Sequence, residues 1–162
     1  MDTTEQTAQD IAKKLGAWLV MKDMKLATAE SCTGGWIAKC CTDQPGSSAW
    51  FERGFVSYSD AAKHDSLGVD AQVLQFAGAV SEAVVRQMAA GALAHSAADV
   101  ALAVTGIAGP DGGSEDKPVG TVWFAWDVAG TVESECMVFA GDRDAVRRQA
   151  VAHALDGLAA RL

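Results

Sequence analysis

A serine, a lysine and two glycine-rich loops are the residues of this chain whose types and spacing can do chemistry. Ser31 stands in the run Ala29-Glu30-Ser31-Cys32-Thr33-Gly34-Gly35. A strand-like segment ends there and a glycine-rich helix start follows. Amides at a helix N-terminus are unpaired and sit at the positive end of the helix dipole. Gly34 and Gly35 let a ligand come close to the backbone. Such a turn can hold a phosphate, or stabilise an oxyanion beside an attacking Ser31. It can equally be a plain helix cap, with Ser31 or Thr33 bonding the first amides. Cys32 is a rival nucleophile, although a cysteine at such a turn reads first as buried packing.

A serine nucleophile needs a group to take its proton. His95 and His153 fall on predicted helices and read as satisfied surface or boundary residues. Lys63 is the better candidate, in Gly54-Phe55-Val56-Ser57-Tyr58-Ser59-Asp60-Ala61-Ala62-Lys63. A partly desolvated lysine loses its proton more easily and can act as a base near neutral pH. Tyr58 could orient it or relay the proton. Taken alone, Lys63 reads first as a solvated helix lysine. The second loop, from Val104 through Thr105, Gly106 and Gly109 to Gly113, exposes amides to a ligand. It is neither a Walker A sequence nor a dinucleotide fingerprint, and a surface turn explains it as well. Arg143 and Arg147 are four residues apart on the last predicted helix and share a face. Cations at a helix N-terminus oppose the dipole, a cost that an anion seated there would remove. A substrate phosphate would serve, as would pairing with Asp142 and Asp144.

The elements that must position these residues alternate in type. Residues 3–22 read as a helix, with capping-box spacing at Thr3 and Gln6 and a stripe of Ile11, Leu15, Trp18 and Leu19. Lys25–Glu30 reads as a strand, and a helix opened by the Thr33 turn ends at Gln44-Pro45-Gly46. Residues 50–59 read as a strand, 61–67 as a short helix ending at Gly68, and Ala71–Phe76 as another. Ser81 caps a longer helix with Val84, Val85, Met88 and Leu93 inward. Asp99–Val104 reads as a buried strand. Residues 119–127 and 131–139 read as antiparallel strands joined at Ala129-Gly130. The last helix starts near Asp142 and buries Val146, Ala150, Ala154, Leu155 and Leu158. Strands interleaved with helices predict an α/β fold: a three-layer α/β/α sandwich, its mixed sheet of about five strands mostly parallel.

The chain has 162 residues, 49% of them hydrophobic, enough for one domain (1–162) with a proper core. Its net charge of −8 argues against nucleic acid as a partner, since that binding runs on Lys and Arg contacts to phosphate. No apolar run reaches the length of a membrane helix. The polar, acidic N-terminus is no secretory signal, so a cytoplasmic setting is expected. The four cysteines and three histidines form no metal-binding spacing, and no metal is expected.

Four motifs occur in order: Ala-Glu-Ser-Cys-Thr-Gly-Gly at 29–35; the Gly54–Lys63 segment with Leu67-Gly68-Val69 behind it; Val104–Gly113 with Lys117–Val122; and Gly141-Asp142-Arg143 with Val146-Arg147. The chain resembles the CinA C-terminal domain family, the nicotinamide-mononucleotide deamidases also called PncC, from about Asp10 to near the C-terminus. The resemblance implies a three-layer α/β/α fold and a stand-alone form without the additional N-terminal domain of some members. It implies hydrolysis of nicotinamide mononucleotide to nicotinic acid mononucleotide and ammonia by a Ser–Lys serine amidohydrolase. The motif serine falls on Ser31, the motif tyrosine and lysine on Tyr58 and Lys63, and the second glycine-rich motif on Thr105, Gly106 and Gly109. On that reading, neutral Lys63 takes the Ser31 proton and amides near Thr33, Gly34 and Gly35 hold the oxyanion. Lys63 or Tyr58 then helps ammonia leave, and water hydrolyses the acyl-enzyme. A route in which Ser31 only orients water stays open. Arg143 and Arg147 are expected on the 5′-phosphate, shared with the Thr105–Gly109 loop. The expected partner is a small nucleotide, with no organic cofactor, nucleic acid or membrane. A homo-oligomer is open, with Trp50 and Phe51 expected exposed for a subunit contact. The rival function is a non-catalytic nucleotide-binding or regulatory module linked to competence or damage.

Overall fold

The computed structural model describes residues 3–162; Met1 and Asp2, the start of the polar N-terminal segment, lie outside the described residues. Five strands form one mixed sheet: β1 (Leu26–Glu30), β2 (Phe51–Val56), β3 (Val100–Gly106), β4 (Thr121–Val128) and β5 (Thr131–Val138), in the order β2-β1-β3-β4-β5. β1 pairs in parallel with β2 and β3, and β4 runs antiparallel to β3 and β5. The mixed character is as expected, although the pairings divide evenly between parallel and antiparallel. The last two strands form the expected hairpin at Ala129-Gly130, and a hairpin is necessarily antiparallel.

Alternation along the strands builds two different cores. Val100, Leu102 and Val104 of β3, with Val122, Phe124 and Trp126 of β4, face α1 (Thr3–Met21), α2 (Trp36–Thr42) and α6 (Arg143–Ala159). Ala101, Ala103 and Ala125 face the other way, towards α5 (Glu82–Ala94). Bulky residues fill the first layer; alanines let α5 lie close on the second. α3 (Asp60–Leu67) and α4 (Ala71–Ala77) complete that side. At Gly91 of α5 a Cβ would lie 1.9 Å from the Leu67 carbonyl oxygen, so glycine is what brings α3 against α5.

Local signals placed most boundaries. Ser59, Ser81 and Asp142 accept the amides of Ala62, Val84 and Ala145 as N-caps, and Gly68 ends α3 in the left-handed region. Three readings are corrected. Thr3 already lies within α1 and the Gln6 amide donates to Asp10, so no capping box forms at Thr3 and Gln6. Trp18 is 42% exposed; the buried stripe runs through Ala8, Ala12, Leu15 and Leu19. Trp50, expected at the surface, is 3% exposed, and a Cβ at Gly16 would sit 2.6 Å from its ring. Phe51 is half-buried beside it in an edge-to-face pair, so these two rings close the α1 side of the core and offer no subunit patch. No helix of the described residues is long and apolar enough to cross a membrane.

Candidate active site

The site lies at the carboxyl ends of the central strands, where open α/β sheets bind ligands. Ser31 follows β1 directly, its amide bonded to the Val104 carbonyl of β3 at 3.0 Å. The chain then turns sharply. Gly34 and Gly35 both take positive φ (60° and 96°), and Gly35 opens α2 with no side-chain cap, so neither Ser31 nor Thr33 is the helix cap.

Glu30 takes that place. Its carboxylate is fully buried and accepts the amides of Ile37 and Ala38 at 2.9 and 3.0 Å. Burial pushes its pKa up, opposed by the Thr33 hydroxyl and the amides of Ala38, Ile37 and Gly35. Gly34 donates to the Ser31 carbonyl and Trp36 to the Thr33 carbonyl, each at 3.0 Å. The amides of Gly34 and Gly35, expected to face a substrate, are therefore occupied. Those of Cys32 and Thr33 have no backbone acceptor among the described residues.

α3 brings Lys63 back to this turn. Lys63 is 1% exposed, and its Nζ lies 2.9 Å from Ser31 Oγ, 3.0 Å from the Ser57 carbonyl and 3.1 Å from the Tyr58 carbonyl. Removal from water lowers its pKa from lysine's ordinary value, while Asp60 and Cys32 pull the other way. A neutral amine has two protons and one lone pair. Two carbonyls take the protons, which leaves the lone pair for the Ser31 hydroxyl. Cys32 is buried, and burial pushes its thiol up to about 12, which removes it as a rival nucleophile.

Tyr58 enters through its backbone. Its carbonyl contacts Lys63, while its exposed phenol accepts from Arg143 Nη2 at 3.0 Å. Arg143 Nη1 also donates to the Gly109 carbonyl at 2.7 Å. Thr105 donates its hydroxyl to the Ala79 carbonyl at 3.0 Å and so ties β3 to the segment before α5. Gly106 backs onto Cys32, where a Cβ would come within 3.1 Å of the sulfur. Arg147 turns inward: Nε donates to the Cys32 carbonyl at 3.0 Å and Nη2 to the Thr33 carbonyl at 3.3 Å, with the guanidinium 5.3 Å from the Trp36 ring centre. A cleft of about 480 Å³ opens beside it, lined by Ala108, Pro110, Val119, Asp142, Arg143 and Arg147. Its volume is in the range of small-ligand sites. Asp144, also on the cleft lining, pairs with Arg148. Among the described residues no group of three or more His, Cys, Asp or Glu side chains is placed to hold a metal ion.

Sequence reasoning missed Glu30 and Ser57. The Ser57 amide donates to the Glu30 carbonyl at 2.9 Å, and its own carbonyl receives Lys63. The available signal was an acid at the end of a strand otherwise built of small and apolar residues.

Fold and site together define a class: a mixed-sheet α/β protein with a buried lysine amine in contact with a serine at a strand end. The chain belongs to the CinA C-terminal domain family, whose model matches residues 8–162. It is 55% identical over 158 residues to nicotinamide-nucleotide amidohydrolase PncC of Escherichia coli strain K12, covering 96% of this chain and 94% of that one. The protein of the same name from Pseudomonas putida is 55% identical over 148 residues, covering 91% and 92%. Among solved structures, a CinA superfamily protein of Escherichia coli superposes with a TM-score of 0.94 at 40% identity, covering 100% of this chain and 94% of the other.

Proposed function

We propose that the protein hydrolyses the carboxamide of nicotinamide mononucleotide, giving nicotinic acid mononucleotide and ammonia, with Ser31 as nucleophile and Lys63 as base. Two relatives matched over nearly their whole length carry the name of that activity. The observation that carries the chemistry is the 2.9 Å contact of a buried lysine amine with Ser31 Oγ.

The steps follow from the protons. Neutral Lys63 takes the hydroxyl proton as Ser31 Oγ bonds to the carboxamide carbon. The carbonyl electrons move to oxygen, and the amides of Cys32 and Thr33, which have no backbone acceptor among the described residues, are the donors proposed for that charge. The C–N bond breaks, and ammonia leaves with the proton from Lys63. Water then gives a proton to Lys63 and attacks the acyl carbon, and Ser31 regains a proton from Lys63 as the carboxylic acid departs and ionises in water. Lys63 thus returns to its starting state. Arg143 and the neighbouring cleft suit the 5′-phosphate, with Gly109 holding Arg143 through its carbonyl, while Thr105 and Gly106 support the loop from behind, bonded to Ala79 and backed onto Cys32. Arg147, spent on backbone carbonyls, contributes less to the phosphate than its sequence position implies. The reading assumes a cytoplasmic setting.

The test is ammonia release from nicotinamide mononucleotide. Ser31→Ala and Lys63→Met should each lower kcat by at least about three orders of magnitude. Rapid quenching with a slow amide analogue should trap an acyl group on Ser31. Turnover by Ser31→Ala at the normal rate would refute the assignment. A Ser31→Ala protein that is slowed without any trappable acyl group in the parent would leave Ser31 as a water-orienting residue.

A further inference from the structure

We infer that Glu30 is a positioning residue of the reaction: its buried carboxylate occupies the first amides of α2 and so fixes the nucleophile turn with only Cys32 and Thr33 left to receive the oxyanion. The inference rests on the Ser–Lys reading above but does not depend on which amide is cleaved.

Three observations converge on it. First, an anion is already present where α2 begins. The Glu30 oxygens hold Ile37 and Ala38, and with Gly35 nearby the outward amides of that helix are taken. A substrate anion cannot use them without displacing a fully buried carboxylate.

Second, the rest of the turn is oriented by the peptide planes. In a trans peptide the C=O of one residue and the N–H of the next point in opposite directions. The Ser31 carbonyl is fixed by the Gly34 amide, and the Cys32 carbonyl by Arg147 Nε. The Cys32 and Thr33 amides are therefore directed away from Gly34 and from α6. Glu30 anchors the far end of the same turn through residues 35–38.

Third, Glu30 also reaches the lysine. Its main-chain carbonyl accepts the Ser57 amide at 2.9 Å, and the Ser57 carbonyl accepts from Lys63 Nζ at 3.0 Å. One residue thus ties the nucleophile turn by its side chain and the base's cradle by its backbone. The backbone link continues the β1–β2 ladder and survives any side chain, so substitution at position 30 tests the side-chain link alone.

The experiment compares Glu30→Gln and Glu30→Asp. Glutamine keeps the shape but turns one acceptor into a donor facing an amide. Aspartate keeps the charge but withdraws it by one methylene. Two rates are read on soluble protein of each variant. One is turnover of nicotinamide mononucleotide, as kcat and KM. The other is phosphonylation of Ser31 by a small fluorophosphonate, located by mass spectrometry. In that reaction the Ser31 O–P bond forms, P–F breaks, fluoride leaves and Lys63 takes the proton. Positioning requires kcat to fall about 10-fold to 100-fold in both variants, with KM within about three-fold. The phosphonylation rate should fall by a similar factor. A charge-only role, with aspartate near normal, overturns the inference. So does a lower melting temperature or poor recovery with kcat per titrated Ser31 unchanged. If the parent labels readily at Ser31 but releases no ammonia, the substrate reading fails while the labelling rates still judge Glu30.

Discussion

A lysine carrying three protons would offer three donors to Ser57, Tyr58 and Ser31, and would have nothing with which to accept the hydroxyl proton. On the proposed mechanism, turnover therefore requires the neutral amine. Burial lowers the Lys63 pKa, and kcat/KM should rise with pH as that proton is lost. Asp60 acts against burial, holding the proton on. Asp60→Asn should therefore move the acid limb of the profile to lower pH, and less so at high salt because Asp60 is exposed. A limb that stays in place or moves up contradicts the assignment of Lys63 as base. The same shift has a stability consequence. The unfolded chain keeps the Lys63 proton to higher pH than the folded one, so stability should climb as pH rises from the folded pKa towards lysine's ordinary value. Lys63→Met should remove that slope in pH-dependent thermal melts. The two arginines should separate in kinetics. Both line the cleft, but Arg147 also clasps the Cys32 and Thr33 carbonyls of the Ser31 turn, which Arg143 does not touch. Arg143→Ala should mainly raise KM for the nucleotide, and Arg147→Ala should mainly lower kcat. The reverse pattern would return Arg147 to the phosphate.

At the scale of elements, α3 carries Lys63 and α5 decides where α3 lies. Gly91 of α5 abuts the Leu67 carbonyl at the last turn of α3. Gly91→Ala puts a methyl group into backbone, so one helix must shift. Urea denaturation should show a loss of about 1–3 kcal/mol, and the displaced Lys63 should lower kcat in the protein that remains folded. Stability within about 0.5 kcal/mol of the parent would show that α3 and α5 are less tightly coupled than their contact implies. The elements themselves were largely legible. Caps, turn glycines and the alternation of Val100–Val104 are local signals, and each acts on the residues beside it. The misplaced residues are those whose surroundings are distant in sequence. Trp50 is buried because Gly16 of α1 leaves room for its ring, and nothing in residues 50–59 records that. Glu30 is buried because β1 lies between two strands, with a helix start to neutralise its carboxylate.

For the molecule as a whole, the site is a product of topology. Ser31 and Lys63 are 32 residues apart in a chain whose local pattern equally allowed a capped helix and a solvated lysine. Their order among four motifs pointed to a resemblance, but only the β1–β2 crossover brings the amine to the hydroxyl. We propose that residues 1–162 form one domain, since both cores are built on the two faces of one sheet. The end of β1 leads into Ser31, α3 carries Lys63, the loop after β3 gives the cleft one wall and α6 gives the arginines. A ligand held by all four should bind the folded chain and not the unfolded one, and should delay unfolding of the whole. Nicotinic acid mononucleotide added to Ser31→Ala protein at about a hundred times its Kd contributes about 2.7 kcal/mol. For a domain of this size that is roughly 5–10 °C in Tm. Differential scanning fluorimetry would read it, with nicotinamide lacking the ribose phosphate as the control and Arg143→Ala as the variant that should lose most of the shift. If nucleotide and control move Tm equally, the phosphate has no seat near Arg143 and the cleft beside α6 is not where the substrate lies.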